Sequence, residues 1–215
     1  MDEWGEINAD WNCSNYLINV GKDTDNSGVE EKFDESYKKF VEKTYQVIKQ
    51  IEEIGLPKEN EQIKLITFRS FNAVHFLNYI AKKEKVTHLL LVVYSINAEA
   101  ARFIDEMINA GMIERATILI SNLRNKAHRQ KEQITRDLFV ENPKVDLFFC
   151  SSHAKIMAMK TENNHYVIEG SGNLSYNSRV EQYTLDNDKK LFEFTLNWMN
   201  EVRELLKGTK ELIET

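Results

Sequence analysis

His153 and Lys155 stand two apart in the chain, and Gly170-Ser171-Gly172-Asn173 follows after an apolar stretch. On a strand successive side chains alternate faces, so His153 and Lys155 point the same way. Met157 and Met159 continue that face, while Ala154, Ile156 and Ala158 form the other. A strand apolar on both sides is expected to be buried in a sheet. Thr161-Glu162-Asn163-Asn164 supplies turn residues, and His165-Tyr166-Val167-Ile168 reads as the returning strand. With the turn centred between Glu162 and Asn164, antiparallel pairing brings Gly170–Asn173 back opposite His153 and Lys155. Glycines flanking Ser171 leave backbone N–H groups open to an anion, Lys155 adds a point charge and Asn173 an amide donor. Together these are the parts needed to hold a tetrahedral phosphate beside an imidazole.

Each half alone is a weak signal. A lone His beside a strand is more often a satisfied packing or surface residue, and Gly-Ser-Gly is a common turn. The conjunction is specific, and it resembles the HKD motif of the phospholipase D superfamily, His-x-Lys followed by Gly-Ser-x-Asn. His153, Lys155, Gly170, Ser171 and Asn173 match that pattern. Lys160 holds the position of the motif's usual Asp, and the Gly-Ser pair comes later than the common spacing, as a longer hairpin turn allows. In the family a downstream Glu hydrogen-bonds the motif His, and Glu181 is the matching residue. The resemblance is tight over Ser151 to Tyr183 and looser over Ile63 to Trp198.

A neutral imidazole can attack phosphorus, and a phosphohistidine intermediate divides one hard displacement into two easier ones. The leaving alkoxide must then gain a proton and the later water lose one, which calls for a second acid/base titrating near neutrality. The resemblance implies two motifs supplying two histidines across one pocket, without a metal or cofactor. This chain carries one copy, so the expectation is a C2 homodimer with His153 of each chain at the two-fold axis. The resemblance assigns Lys155, Ser171 and Asn173 to the phosphate oxygens and Glu181 to orienting His153, with Gly170 and Gly172 as substrate-binding backbone. A metal-independent DNA endonuclease is the first reading. The alternatives are a phospholipase or small-phosphodiester hydrolase using the same residues, and a noncatalytic DNA-binding or dimerisation module.

The elements that must position these residues alternate strand and helix. Ile63 to Phe68 reads as a strand, Phe71 to Lys83 as a helix, and residues 88–95 as a buried strand. Asn97 or Ser95 caps a helix to about Ala110; Ala116 to Ser121 and Val145 to Cys150 are further strands. Val180 to Leu185 carries Glu181, and a last helix begins near Asn187-Asp188. Its expected buried stripe is Leu191, Phe194, Trp198, Val202 and Leu205, widened by Phe192, Leu196 and Met199. The fold class expected is therefore α/β: a mixed, mostly parallel sheet flanked by helices on both faces, phospholipase D-like, with an N-terminal helical extension. The expected division is an arm at 1–28, a helix at 29–57 and the catalytic domain at 58–215.

The 215 residues carry a net charge of −6, which argues against a large nonspecific nucleic-acid surface. Distribution matters more than the sum. Acid concentrates in Asp23 to Glu53 and Asp186 to Glu214, whereas Arg124, Lys126, His128, Arg129, Lys131 and Arg136 cluster with little opposing charge. Screening over ~8 Å at physiological salt lets such a patch act locally. That cluster reads equally as substrate-binding (Arg124, Lys126, Arg129) or as a solvated helix start. Two cysteines, Cys13 and Cys150, are too few for a disulfide framework, and Cys150 reads as packing in the sheet. The polar, acidic first residues are unlike a secretory signal and no stretch has membrane-spanning length, so a cytoplasmic protein is expected.

Overall fold

The computed structural model describes residues 51–67, 72–121, 136–175 and 180–213, with side chains to Lys207, and Tyr37 and Gln133 besides. The chain divides into two compact units, Met1–Lys38 and Lys39–Thr215, and every strand and helix named below belongs to the second. The expected arm at 1–28, most of the helix at 29–57, and Arg124, Lys126, His128, Arg129 and Lys131 lie outside the described residues.

Strands β1 (Gln62–Thr67), β2 (His88–Val93), β3 (Ala116–Ser121), β4 (Val145–Cys150), β5 (Ile156–Lys160), β6 (His165–Gly170) and β7 (Glu181–Asn187) form one sheet in the order β1-β7-β6-β5-β2-β3-β4. Helices α1 (Val74–Lys83), α2 (Ala98–Asn109) and α3 (Lys189–Ile213) accompany it, and residues 51–54 and 136–140 are helical as well. The chain is thus α/β with a mixed sheet, but the sheet is not mostly parallel. Only β2–β3 and β3–β4 run parallel, while β1–β7, β7–β6, β6–β5 and β5–β2 are antiparallel. Strand–helix crossovers build parallel pairs only as far as β4; the tight β5–β6 turn and the short return to β7 can only build antiparallel ones.

β2 and β3 are buried at every position, as continuous apolar runs require. Leu90, Val92, Leu119, Ala158 and Val167 share one face and pack with Phe192 and Met199 of α3. On the opposite face the Phe76 ring of α1 meets the Tyr183 ring edge-on at 6.0 Å. Asn97 is the cap of α2, its Oδ1 accepting from Ala100 N at 2.9 Å. Asp188 caps α3, accepting from Lys190 N and Leu191 N. Six of the eight residues expected on the buried flank of α3 pack in the core, whereas Phe194 is 64% and Leu205 71% exposed and Thr195 is buried between Phe192 and Met199. Thr195 occupies the centre because its hydroxyl donates to Leu191 O at 3.0 Å and so needs no water. Among the described residues no helix is long and apolar enough to cross a membrane.

At the edge of the sheet where α3 starts, His88 Nε2 lies 2.9 Å from Thr117 Oγ1, and both residues are buried. Burial first, then the positive charges of Arg115 and Lys160, lowers the His88 pKa from 6.5 to about 4. The unfolded chain takes up this proton below pH 6.5 and the folded chain only near 4. Stability therefore falls as pH drops through that window and levels off below it. At ~1.4 kcal/mol per unit the ceiling is about 3 kcal/mol. Urea unfolding at pH 7 and pH 4.5 should show a smaller acid loss in His88→Gln than in the wild type; equal losses would remove His88 as the cause.

Candidate active site

The strand registers bring one end of every strand to a common edge. Thr67 pairs with Glu181, Gly170 with Tyr183, Ile156 with both Glu169 and Val92, Val93 with Ile120 and Ser121 with Cys150. This edge carries the carboxyl ends of the parallel strands β2, β3 and β4. From β2 the chain builds the sheet first outward through β3 and β4, then on the other side through β5, β6 and β7. Open α/β sheets bind ligands outside strand ends at such a reversal.

The two polar clusters meet there. β5 begins only at Ile156, so His153 and Lys155 lie in the loop before the strand rather than on it. They are nevertheless neighbours: Lys155 Nζ is 3.3 Å from His153 Nδ1 and donates to His153 O at 3.0 Å. An ammonium has only donors, so in this arrangement Nδ1 accepts and a neutral His153 ring carries its proton on Nε2. His153 is exposed and Lys155 half-buried. Ala154 and Ile156 pack towards the α3 core, which fixes the loop from its other side. The last β5–β6 pair, Ile156 with Glu169, is one step short of Lys155 opposite Gly170, so the hairpin delivers the second cluster as its turn position requires.

Gly170 and Gly172 lie against Tyr183. A Cβ on Gly172 would collide with the Tyr183 hydroxyl and stand 2.8 Å from Cζ; one on Gly170 would collide with Gln182 O and stand 2.6 Å from the ring. Only glycine permits this approach. Lys155, Gly170, Gly172, Leu174, Tyr183 and Ala73 line one concavity, Ala73 being the residue that leads into α1. Burial, followed by the negative charge of Glu181, raises the Tyr183 pKa above its ordinary value, so its hydroxyl stays protonated.

Three hydrogen bonds hold Ser171 to β7: its N–H donates to Gln182 O, and its hydroxyl accepts from Gln182 N at 3.1 Å while donating to Glu181 Oε2. Glu181 is buried at 5% exposure, and its backbone carbonyl accepts from Thr67 Oγ1. Asn173 Oδ1 accepts from Ser95 N at 3.3 Å, and Leu174 O accepts from Asn97 N, tying this segment to the loop after β2. The seven described residues read as a site thus fall on one sheet edge in four contact groups: His153 with Lys155, Ser171 with Glu181, Gly170 with Gly172 on Tyr183, and Asn173 on Ser95.

Two aromatic residues were not read as part of the site. Tyr94 follows β2 and its ring centroid is 4.8 Å from that of His153, tilted by 57°. Tyr183, two residues beyond Glu181, supports the glycines. Their positions carried the signal, one at a parallel strand's carboxyl end and one in alternation with Glu181; their residue types read as core. Lys160, where the motif's Asp would stand, is at the other end of β5 and exposed. The hairpin turn beside it is pinned instead by Glu84, which accepts from Thr161 Oγ1 at 2.6 Å, Asn164 Nδ2 at 2.9 Å and Tyr166 Oη at 3.1 Å. Cys150 ends β4 and packs in the core, where burial pushes its thiol pKa up and away from nucleophilic use. No three His, Cys, Asp or Glu side chains gather as a metal-holding group among the described residues.

No sequence family and no curated protein matches the chain. Solved structures do resemble it. A phospholipase D family member, Nuc from Salmonella typhimurium, aligns at TM-score 0.48 and 17% identity, covering 66% of this chain and 93% of that one. Polyphosphate kinase from Porphyromonas gingivalis aligns at TM-score 0.49 and 8% identity, over 61% of this chain and 24% of that one. Phosphatidylserine synthase from Haemophilus influenzae Rd KW20 aligns at TM-score 0.42 and 10% identity, over 70% and 38%.

Proposed function

We propose that the chain is a phospholipase D superfamily phosphodiesterase of the single-motif kind, cleaving DNA without a metal through a phosphohistidine on His153, in a site completed by a second copy. The observation that carries this reading is the meeting of His153 and Lys155 with Gly170–Asn173 at the carboxyl edge of β2. The domain read for this activity is 58–215, its sheet flanked by helices on both faces, with 1–28 and 29–57 as an extension, working in the cytoplasm.

In the proposed reaction, His153 attacks phosphorus and the bond to the leaving oxygen breaks. The imidazolium of the second copy's equivalent histidine gives that oxygen its proton. Water then attacks the phosphohistidine, the same second imidazole takes the water's proton, and His153 is released. Lys155 and the amide of Asn173, with the N–H groups around Gly172, hold the nonbridging oxygens, where charge-assisted bonds act most strongly. A phosphate arriving at Lys155 draws its ammonium away from Nδ1, which frees the ring to present an unprotonated nitrogen to phosphorus. Glu181 fixes Ser171 and supplies the carboxylate that stabilises the imidazolium. With Lys160 at the far end of β5, its replacement of the motif's Asp leaves the phosphate cluster intact.

DNA is favoured as substrate by chain connection. Ser152, next to His153, donates its N–H to Ser121 Oγ at 3.4 Å, and Ser121 is the residue from which the basic stretch departs. Arg136, at the end of that stretch, lies 3.8 Å over the Phe149 ring beside the same edge. Arg124, Lys126 and Arg129 fall within that stretch of sequence and are proposed to supply phosphate contacts along a backbone. Supercoiled plasmid and single-stranded DNA incubated in EDTA should be cleaved by the wild type and not by His153→Ala. Turnover of a soluble chromogenic phosphodiester with no cleavage of DNA would replace the substrate. DNA binding without turnover of any phosphodiester would leave a binding module.

A further inference from the structure

We infer that Tyr94 is the residue that positions His153. This rests on the reading of His153 as the nucleophile, but its test does not depend on activity. Three contacts join at this ring: the His153 imidazole at 4.8 Å and a 57° tilt, the Lys155 ammonium at 5.7 Å from the ring centroid, and the Lys155–His153 pair itself. His153 is exposed and precedes the regular part of β5, so the sheet's hydrogen bonds do not hold its side chain. Tyr94, by contrast, follows directly on β2, a strand buried at every residue, and its loop is tied to the glycine segment through Ser95 N and Asn173 Oδ1. The Tyr94 ring is thus a surface on which the exposed imidazole can rest. A tilted aromatic contact, together with the attraction of the ammonium to the ring face, favours one arrangement of both side chains. Such pre-orientation matters for in-line attack, where small misplacements of the nucleophile have large effects on rate.

The test compares Tyr94→Phe, which keeps the ring, with Tyr94→Leu and Tyr94→Met, which keep apolar volume without it. The His153 ring signals, assigned by their loss in His153→Ala, should keep their ring-current-shifted positions in Tyr94→Phe and lose them in the other two. With a soluble chromogenic phosphodiester in EDTA, kcat should fall on the order of 10- to 100-fold in Tyr94→Leu and Tyr94→Met with KM nearly unchanged, and recover in Tyr94→Phe. His153 signals in folded Tyr94→Leu and Tyr94→Met identical to the wild type would overturn the inference. A wild type inactive on every phosphodiester offered would instead overturn the proposed function, and the spectra alone would then decide whether Tyr94 orients His153.

Discussion

Gly172→Ala is expected to reduce phosphodiester turnover on the order of 100-fold or more while lowering stability by roughly 1–3 kcal/mol, the usual cost of forcing one extra carbon into a packed site. The added Cβ would overlap the Tyr183 hydroxyl and press on Cζ at 2.8 Å and Cε1 at 3.3 Å. Tyr183 cannot retreat easily, since it is 3% exposed and its ring is braced by Phe76. The strain passes instead to the segment from Gly170 to Asn173, shifting the N–H groups proposed to bind phosphate and the Asn173 amide that is tied to Ser95 N. The effect on rate should therefore exceed the effect on folding. Tyr183→Phe removes the closest atom but leaves Cζ and Cε1, so Gly172→Ala combined with Tyr183→Phe should recover part of the lost activity. Steady-state kinetics with a soluble phosphodiester, beside urea unfolding of the four proteins, measures both quantities. Wild-type kinetics in Gly172→Ala would show that the glycine segment is not what receives the phosphate.

The adjacency of His153, Lys155 and Gly170 was legible because its signal is local. The two-residue step from His153 to Lys155 and the turn at Thr161–Asn164 predict adjacency whether or not the strand extends to His153, and it begins at Ile156. β2 and β3 were legible because a strand buried between neighbours reads as a nearly unbroken apolar run ended by polar residues. The direction of the sheet was not. Placing β1 beside β7 pairs Gln62 with Asp186 across most of the chain, and nothing in either segment marks its partner. On α3 most of the buried flank was legible, and only its margin was not: Thr195 looks solvated until its bond to Leu191 O is seen, so the expected stripe reached out to Phe194 and Leu205. Tyr94 and Tyr183 were hidden differently. Aromatic residues at the ends of buried strands read as core, and only the path of the loops shows that one faces the imidazole and the other lies beneath the glycines.

A dimer of one wild-type and one His153→Ala subunit is expected to keep less than about 1% of wild-type activity, because general acid–base assistance contributes on the order of 10²- to 10⁴-fold and the hybrid lacks it. One imidazole can act as nucleophile or as acid, not both, and each chain brings only one motif histidine. If each chain instead held a complete site, the hybrid would keep half. In the proposed dimer the exposed ring of His153 is the one that would face its symmetry mate. Co-expression with two affinity tags and tandem purification isolates the hybrid, and bringing the two parents to exchange equilibrium in equal amounts gives an independent reading. Random pairing leaves about a quarter of the dimers fully wild type, so the mixture should keep a quarter of the parental activity if the site is shared and a half if it is not. A hybrid at half activity, or a wild type that sediments as an active monomer, would place both halves of the acid–base chemistry within one chain. The second proton carrier would then have to be sought beside His153 itself.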